Sequence, residues 1–180
     1  MRLTLLRRSA AALAFAVLSG CGMLGGGSSS QVGTGTATAT LRNAAGATVG
    51  SATFTETSIG LLVTGSLNGI GSGTHAIHVH ETGQCTPSFA AAGGHHNPRS
   101  KRHGFRSPDG HHAGDLPNLH VPQGGTLTFD LTLPDVRLRG SEGLVENDGS
   151  ALVIHAAADD YTTDPAGNSG DRIACGVISG

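Results

Sequence analysis

The sequence predicts an all-β domain, an antiparallel sandwich or barrel with two long functional loops. Short runs rich in Thr and Val recur from residue 36 onward, with alternating residue types and turn residues between them. The chain holds 29 glycines and only 3% aromatic residues, which is typical of turn-rich β-structure. No window of helical length beyond the first twenty residues shows a 3.6-residue period, so a helical bundle is excluded.

A separate segment precedes this domain. Residues 1–20 combine a basic start, a short apolar run over residues 10–18 and a small-residue ending, which predicts a secretory signal too short to span a bilayer. The residues Leu18-Ser19-Gly20-Cys21 resemble a bacterial lipobox, which implies cleavage before Cys21 and a lipid on its sulfur. The alternative is an ordinary signal peptide with a chance cysteine.

Residues 21–35 are predicted to be a lipidated, flexible Gly/Ser-rich tether, and residues 36–180 the folded domain. A lipid on Cys21 would anchor the exported protein to a bacterial membrane, in the periplasm or elsewhere in the cell envelope. Loss of three of the 11 basic residues with the signal leaves 8 against 13 acidic ones. This acidic balance argues against nucleic acid as a partner.

The cysteine count supports export. If Cys21 carries lipid, Cys85 and Cys175 remain as a pair, and an oxidising compartment favours a disulfide between them. If Cys21 is not lipidated, a secreted protein is left with a free thiol. The even pairing therefore favours the lipobox interpretation.

Seven segments are predicted as strands because each is short, alternating and bounded by turn residues. In chain order they cover residues 36–41, 49–55, 60–67, 75–80, 126–133, 151–155 and 173–178. Two long segments, residues 81–123 and 159–172, interrupt them. Loops of this length in a compact domain are usually functional or disordered, and the histidines in the first one argue for function.

Eight of the ten histidines lie between residues 75 and 115, and imidazole is a preferred ligand of copper and zinc. His78 and His80 are two residues apart on a predicted strand, so they share a face and can reach one metal. An H-x-H pattern alone is a weak signal. His75 falls on the opposite face and is predicted to brace the ligands rather than bind metal.

Two ligand sets can be assembled from these residues. A carboxylate with three imidazoles suits a closed tetrahedral Zn²⁺ site, and an all-nitrogen set suits tetragonal Cu²⁺. The candidate zinc ligands are His95, His103, His112 and Asp115, and His155 is the candidate that completes a copper site with His78 and His80. One histidine would then have to serve both metals as a bridging imidazolate.

Four basic residues surround His103, namely Arg99, Lys101, Arg102 and Arg106. The simplest interpretation is a solvated loop face. The sharper hypothesis is that these residues add positive potential near the metals and attract an anionic substrate.

The motifs in this order resemble the copper–zinc superoxide dismutases of the bacterial exported type. They read H-A-I-H-V-H, G-G-H-H-N-P, H-G, H-A-G-D-L-P-N, I-H-A-A-A-D-D and P-A-G-N-S-G-D-R-I-A-C-G-V-I. The resemblance covers the chain from about residue 36 to its end. It implies an immunoglobulin-like, Greek-key superoxide dismutase fold, superoxide as substrate, and Cu(II)/Cu(I) and Zn(II) as cofactors.

The resemblance also implies residue roles. Copper would be held by His78, His80, His155 and the bridging His95, and zinc by His95, His103, His112 and Asp115. Asp159 would link a copper ligand to a zinc ligand through hydrogen bonds, Arg172 would attract and orient superoxide, and Cys85 and Cys175 would form the disulfide. Catalysis would then depend on Arg172 and His95.

The sequence departs from the family pattern in four places. Ala76 and Ile77 replace a Gly and a Phe, His96 replaces an apolar residue, and His111 beside His112 offers a second candidate for one zinc ligand, although the A-G-D phase favours His112. Two other functions compete with dismutation: a non-catalytic copper/zinc-binding envelope lipoprotein, and a degenerate structural β-domain. Monomer and homodimer are both compatible with the sequence.

Overall fold

The computed structural model describes residues 35–180, so the predicted signal, Cys21 and nearly all of the tether lie outside the described residues. The regular secondary structure of the described part is β-strand, apart from one short 3-10 helix at Phe89–Ala92. The strands are β1 (Thr36–Asn43), β2 (Thr48–Thr57), β3 (Gly60–Asn68), β4 (Gly73–His75), β5 (Ile77–His80), β6 (Leu119–Val121), β7 (Thr126–Pro134), β8 (Ser150–His155) and β9 (Arg172–Ile178).

Seven strands form one antiparallel sheet in the order β5-β8-β9-β1-β2-β3-β7. Several neighbours are distant in sequence, for example β1 beside β9 and β5 beside β8. Long connections that return to a non-sequential neighbour are the feature that defines a Greek key. The all-β, Greek-key prediction is confirmed.

A second, two-stranded ladder curls the sheet. β4 pairs with β6. β4 runs directly into β5 and β6 into β7, and these are the two edge strands of the large sheet. Pairing of β4 with β6 therefore joins the two edges at one end, which protects them from pairing with other chains.

Strand burial shows where the core and the site lie. In β1 the buried residues Ala37, Ala39 and Leu41 alternate with exposed ones, so one face packs on the core and the other meets solvent. Every residue of β5 and β8 is buried, because loops cover the outer face of these two strands. Side chains on that outer face are enclosed, which makes it suitable for a metal site.

Two predicted boundaries were wrong. The predicted strand over residues 75–80 is divided at Ala76, whose N–H donates to Ala157 O and whose carbonyl accepts from His155 N, both at 2.9 Å. The predicted loop over residues 81–123 contains the 3-10 helix and β6. β6 was missed because three residues are too short for alternation to be recognised.

A Cys85–Cys175 disulfide pins the first long loop to β9, with 5.8 Å between the Cα atoms. The two cysteines are 90 positions apart. On a chain-entropy estimate, closing so long a loop stabilises the fold by about 4–5 kcal/mol. Within residues 35–180, no helix has the length and apolar character needed to cross a membrane.

Candidate metal centre

The histidines converge at the edge strand β5. His78 and His80 are both enclosed and lie two residues apart on this strand. Single bridges place Asp115 opposite His78 and His95 opposite His80, and His155 ends the neighbouring strand β8. The i, i+2 spacing therefore places His78 and His80 on one face of β5. β8 contributes His155, and the covering loop contributes His95 and Asp115.

The first set of ligands, the copper group, contains only histidines: His78, His80, His95 and His155. One nitrogen from each lies within 4.8 Å of the others. Each of these four rings also has one nitrogen that is buried without a hydrogen-bond partner, namely His78 Nδ1, His80 Nε2, His95 Nε2 and His155 Nε2. A buried polar atom without a partner costs about 1–3 kcal/mol. Four such nitrogens that face a common point fit a copper ion.

The opposite ring nitrogens fix the tautomers of the β5 ligands. His78 Nε2–H donates to Asp159 Oδ2 at 2.9 Å, and His80 Nδ1–H donates to the Gly93 carbonyl at 3.0 Å. In each neutral ring the remaining nitrogen keeps its lone pair for a metal. The Gly93 carbonyl also accepts from Arg172 Nη2 at 2.6 Å, so it joins a copper ligand to the predicted substrate-orienting residue.

His155 is oriented by residues that the sequence analysis did not identify. Its Nδ1 lies 3.0 Å from Ser169 Oγ and 3.2 Å from the Gly170 carbonyl. His75 supports the same strand end from behind, with Nδ1 2.9 Å from the His155 carbonyl and Nε2 2.9 Å from the Gly71 carbonyl. His75 thus contacts backbone and not the ligand nitrogens, as its predicted bracing role requires.

Three histidines of the copper group, His78, His80 and His155, are neutral at physiological pH. Burial lowers the pKa of His78 to about 4, of His80 to about 2 and of His155 to about 3. Charge on neighbouring His95 adds to this effect at all three. Neutral imidazole is the form that binds metal, so these rings require no deprotonation before copper binds.

The second set, the zinc group, contains His95, His103, His112 and Asp115. Asp115 Oδ1 lies 2.9 Å from His95 Nδ1, 3.1 Å from His103 Nδ1 and 3.6 Å from His112 Nδ1. The Nδ1 atoms of His95 and His112 are 3.3 Å apart. Zn–N and Zn–O bonds of about 2.0–2.2 Å place the corners of a tetrahedron about 3.3–3.6 Å apart. The donor types and their spacing therefore fit zinc.

In the zinc group, hydrogen bonds between histidines and carboxylates outweigh burial in setting the pKa values of Asp115 and His103. Burial alone would raise the pKa of Asp115, but hydrogen bonds from His103, His95 and the Gly104 N–H hold it well below its usual range. For His103, burial lowers the pKa, but hydrogen bonds to Asp115 and Asp159 outweigh it and raise the pKa to about 9. Without metal, the zinc group is an ion-pair cluster built around a protonated His103.

Asp159 connects the two groups. Its Oδ2 accepts from His78 Nε2 at 2.9 Å, and its Oδ1 accepts from His103 Nε2 at 3.0 Å. The Tyr161 N–H donates to the same Oδ1 at 2.6 Å. A Cβ at position 167 would collide with this carboxylate, so Gly167, with φ +64°, is needed for the approach. The predicted link between a copper ligand and a zinc ligand is present.

Arg172 lies in a cavity of about 560 Å³ that opens onto the copper group. Its Nη1 donates to the Phe89 carbonyl at 2.7 Å and its Nη2 to Gly93, which fixes the guanidinium plane. Partial burial lowers its pKa from a value so high that it stays charged. The same cavity is lined by His80, His95 and His155.

The residues that depart from the family pattern occupy distinct places. Ala76 and Ile77 are completely buried. His111 belongs to neither group and its ring lies 4.8 Å from that of Phe105, so His112 is the member of the pair in the zinc group. His96 is buried and its Nε2 has no hydrogen-bond partner. No structural reason for a histidine at this position is found among the described residues.

Asp164 was also missed by the sequence analysis. Its Oδ1 accepts from the His103 N–H at 2.7 Å and lies 3.8 Å from His112 Nε2. It therefore supports two zinc ligands from the second loop. The only signal available in the sequence was its place in an aspartate-rich segment.

Comparison with known proteins agrees with this geometry. The family model for copper/zinc superoxide dismutase (SODC) matches residues 48–178. Superoxide dismutase [Cu-Zn] 2 of Aquifex aeolicus is 44% identical over 144 residues, covering 78% of this chain and 84% of the relative. Superoxide dismutase [Cu-Zn] of Caulobacter vibrioides is 42% identical over 147 residues, covering 79% and 84%.

A solved structure is similar as well. The crystal structure of a SOD-like protein from Bacillus subtilis aligns with a TM-score of 0.74 at 43% identity, covering 78% of this chain and 96% of that one. The family match spans most of the chain, and the metal groups contain the donors that copper and zinc require. The chain therefore belongs to the copper/zinc superoxide dismutase family.

Proposed function

We propose that the protein converts two superoxide ions and two protons into O₂ and H₂O₂ at the metal centre described above. The observation that carries this proposal is the shared cavity, in which His80, His95 and His155, each with an unpartnered ring nitrogen, lie together with Arg172. Copper, when bound there, would alternate between Cu(II) and Cu(I), accepting an electron from one superoxide and giving it to the next.

Arg172 would bind and orient the substrate. Two of its N–H groups are committed to the carbonyls of Phe89 and Gly93, so the side chain cannot swing away from the cavity. The positive charge and the remaining donors are available to a small anion. This arrangement brings superoxide next to the copper group without loss of side-chain freedom at each turnover.

His95 would hold the proton that the peroxide product needs. Its Nδ1 is surrounded by zinc-group atoms, 2.9 Å from Asp115 Oδ1 and 3.3 Å from His112 Nδ1. Its Nε2 faces the copper group with no other partner. The zinc group thus fixes the ring, and a proton held at Nε2 lies within reach of an anion bound beside Arg172.

A non-catalytic copper- and zinc-binding protein is the second candidate. This candidate is favoured by the similarity to proteins named SOD-like, for example Superoxide dismutase-like protein YojM of Bacillus subtilis. That protein is 51% identical over 106 residues, which cover 57% of this chain and 54% of that protein. Metal storage has no need for a fixed arginine in the metal cavity. Arg172 therefore favours the enzyme.

We further propose that the enzyme is exported and anchored in the cell envelope through lipidated Cys21, where it removes superoxide. The lipobox-like sequence before Cys21 supports this location. Replacing Cys21 with Ser should move the protein from the membrane fraction to the soluble fraction of the envelope and abolish labelling by a fatty acid. Homodimer formation is a separate proposal that sedimentation of the purified protein would test.

Dismutation by the purified mature protein tests the central proposal. Activity is measured before and after loading with copper and zinc, with metal content determined on the same samples. We expect copper-dependent turnover with about one copper and one zinc per chain, because each group holds one set of ligands. Stoichiometric metal without turnover would favour the storage candidate.

A further inference from the structure

The first long loop carries cations and an aromatic side chain on its outer surface. Between Glu81 and Asp109 the sequence contains no acidic residue, but it contains four basic ones. All four are exposed, and Phe105, which is 42% exposed, lies among them. Together these residues form a surface that we call the basic patch: Arg99, Lys101, Arg102, Phe105 and Arg106.

Contacts between side chains make the basic patch continuous. The centre of the Phe105 ring lies 4.8 Å from that of His111 and 5.6 Å from that of Tyr161. The Arg106 guanidinium lies 5.9 Å from the centre of the Tyr161 ring. A Cβ on the glycine that precedes His111 would lie 3.5 Å from Lys101 Cδ. Lys101, Phe105 and Arg106 therefore belong to one surface, with aromatic rings between the cations.

Hydrogen bonds fix the backbone that carries these side chains. The Asn97 side chain accepts from the Lys101 N–H at 2.9 Å and donates to the Lys101 carbonyl at 2.8 Å. The Arg106 N–H donates to the Tyr161 carbonyl at 3.0 Å. A surface whose backbone is already ordered loses less conformational entropy when it binds a partner.

The basic patch differs in charge from the rest of the molecule. Without the predicted signal the chain has 8 basic and 13 acidic residues, and half of the basic ones lie within residues 99–106. Arg99 is directed to Glu142, with 3.5 Å between Arg99 Nε and Glu142 Oε2. Within the described residues, no carboxylate forms a salt bridge with Lys101, Arg102 or Arg106. An anionic surface therefore repels the molecule as a whole and attracts it most strongly here.

The basic patch lies close to the point where the chain enters the domain. A Cβ on Gly35 would lie 3.5 Å from Leu138 Cδ1, and Glu142, the partner of Arg99, is four positions beyond Leu138. Four residues span at most about 14 Å. Cys21, the proposed site of lipid attachment, precedes Gly35 by 14 positions. A lipid there would hold this side of the domain near the membrane.

We infer that the basic patch docks on the anionic phospholipid headgroups of the membrane that the proposed lipid enters, with Phe105 inserted among the headgroups. Cations around an exposed aromatic ring are the combination that binds such an interface. Each Lys or Arg near an anionic bilayer strengthens binding about fivefold, and salt weakens this effect. The inference goes beyond the dismutase proposal and does not depend on turnover; it rests on the proposed export and anchoring only for the presence of a membrane.

Docking would add a defined orientation to the anchored domain. A lipid at Cys21 limits the distance between domain and membrane but does not select which face meets the headgroups. At physiological ionic strength the few cations of the basic patch are too weak to replace the lipid. The patch would therefore orient a domain that the lipid retains.

Co-sedimentation with vesicles tests the electrostatic part. The mature, metal-loaded protein carries Cys21→Ser, so that no lipid contributes, and the vesicles contain phosphatidylcholine alone or an equal mixture with phosphatidylglycerol. We expect binding to the anionic vesicles at low ionic strength and little binding to phosphatidylcholine. Arg102→Gln should weaken binding about fivefold, and Arg102→Lys should retain most of it.

Arg42→Gln is the matched control, because Arg42 is exposed and lies at the other end of β1 from Gly35. This variant loses the same charge and should bind nearly as well as its parent. Equal losses of binding in Arg42→Gln and Arg102→Gln would overturn the inference. Failure of the parent protein to bind anionic vesicles at low ionic strength would overturn it as well.

Phe105 distinguishes a bilayer from a soluble polyanion. Phe105→Ser should weaken vesicle binding at least about threefold, because an inserted ring is lost, but should leave binding to polyphosphate unchanged. Ile59→Ser is the matched control, since Ile59 is 63% exposed in the turn between β2 and β3 and should not meet the membrane. Zinc content, measured on each variant, shows whether the loop that carries His103 stays folded. Vesicle binding that Phe105→Ser leaves unaltered would assign the basic patch to soluble polyanions and overturn membrane docking.

Discussion

The copper group and the zinc group share His95, yet His80 and His155 in the first and His103 in the second are prepared for metal in opposite ways. His80 and His155 meet no carboxylate, and burial keeps their pKa values at about 2 and 3. His103 lies between two carboxylates, and its pKa rises to about 9. Copper therefore meets ligands that are already neutral, whereas zinc must displace a proton. Protonation at a metal site thus depends on the few groups within hydrogen-bonding distance, and not on residue type.

His95→Ala is the largest test, because it removes the one residue common to both groups. We expect dismutation to fall by at least about a hundredfold, since the proton-holding role at Nε2 is lost. The visible spectrum of bound copper should change and zinc affinity should fall. His111→Ala is the matched control, because that ring packs on Phe105 outside both groups. An unchanged spectrum with unchanged zinc affinity in His95→Ala would refute the shared-ligand assignment.

Asp159→Asn tests the link between the groups. The amide keeps one oxygen acceptor but cannot accept hydrogen bonds from both His78 and His103. Losing such an outer contact lowers metal affinity about 10- to 100-fold. Asp160→Asn is the control, because the Asp160 carboxylate is half-buried and accepts hydrogen bonds only from residues of its own loop. Metal titration would measure both, and equal affinities in the two variants would contradict the role of Asp159.

The pH dependence of zinc binding sharpens the comparison. The folded pKa of His103 is about 9, above its ordinary 6.5, so near neutral pH zinc must displace its proton. Zinc affinity, measured by chelator competition, should therefore rise with pH by about tenfold per unit and level off near pH 9. Asp159→Asn should move that break to lower pH. A profile that is flat between pH 7 and 9 would contradict a protonated His103.

The titration of His103, Asp115 and Asp159 also makes the free energy of unfolding of the metal-free protein depend on pH. The raised pKa of His103 contributes stability that is complete below about pH 6.5 and lost as pH rises through about 9. The lowered pKa values of Asp115 and Asp159 contribute stability present above about pH 4 and lost as pH falls. The lowered pKa values of His78, His80 and His155 make stability fall as pH drops below about 6.5, so chemical denaturation across pH should show a maximum near neutral pH. Zinc loading should reduce the alkaline loss, because zinc takes the place of the proton.

Cys85→Ser should disturb the copper group and Arg172 more than it disturbs the zinc group. The disulfide pins the loop that carries Phe89 and Gly93, and their carbonyls hold Arg172. Loss of about 4 kcal/mol corresponds to a melting temperature lower by roughly 10 °C for a domain of this size. Dismutation at low temperature should fall while zinc affinity stays nearly constant. An unchanged melting temperature would contradict a stabilising bond.

The sequence predicts which residues come together in the two groups, because few residue types bind copper or zinc and strand alternation places His78 and His80 on one face. It does not predict the groups that orient them. Ser169, Asp164 and the Gly93 carbonyl act through hydrogen bonds whose partners depend on the path of the loops. A backbone carbonyl leaves no signature in any side-chain pattern.

The same limit applies to the cations of the first loop. The sequence offers four equivalent cations around His103, and of these the structure places Lys101 in the cavity wall, next to the Asn97 turn. Side-chain direction in an irregular loop follows from such local hydrogen bonds. Composition alone gives the total charge but not which of these residues lines the cavity.

The Gly93 carbonyl has a consequence for how this protein can vary. One oxygen accepts from His80, a proposed copper ligand, and from Arg172, the proposed substrate contact. The Glu81 side chain lies so close to the glycine that a Cβ at position 93 would be 2.7 Å from Glu81 Oε1. A shift of the Gly93 peptide would move the His80 ring and the Arg172 guanidinium together. Changes at this position should therefore alter metal geometry and anion recognition at the same time.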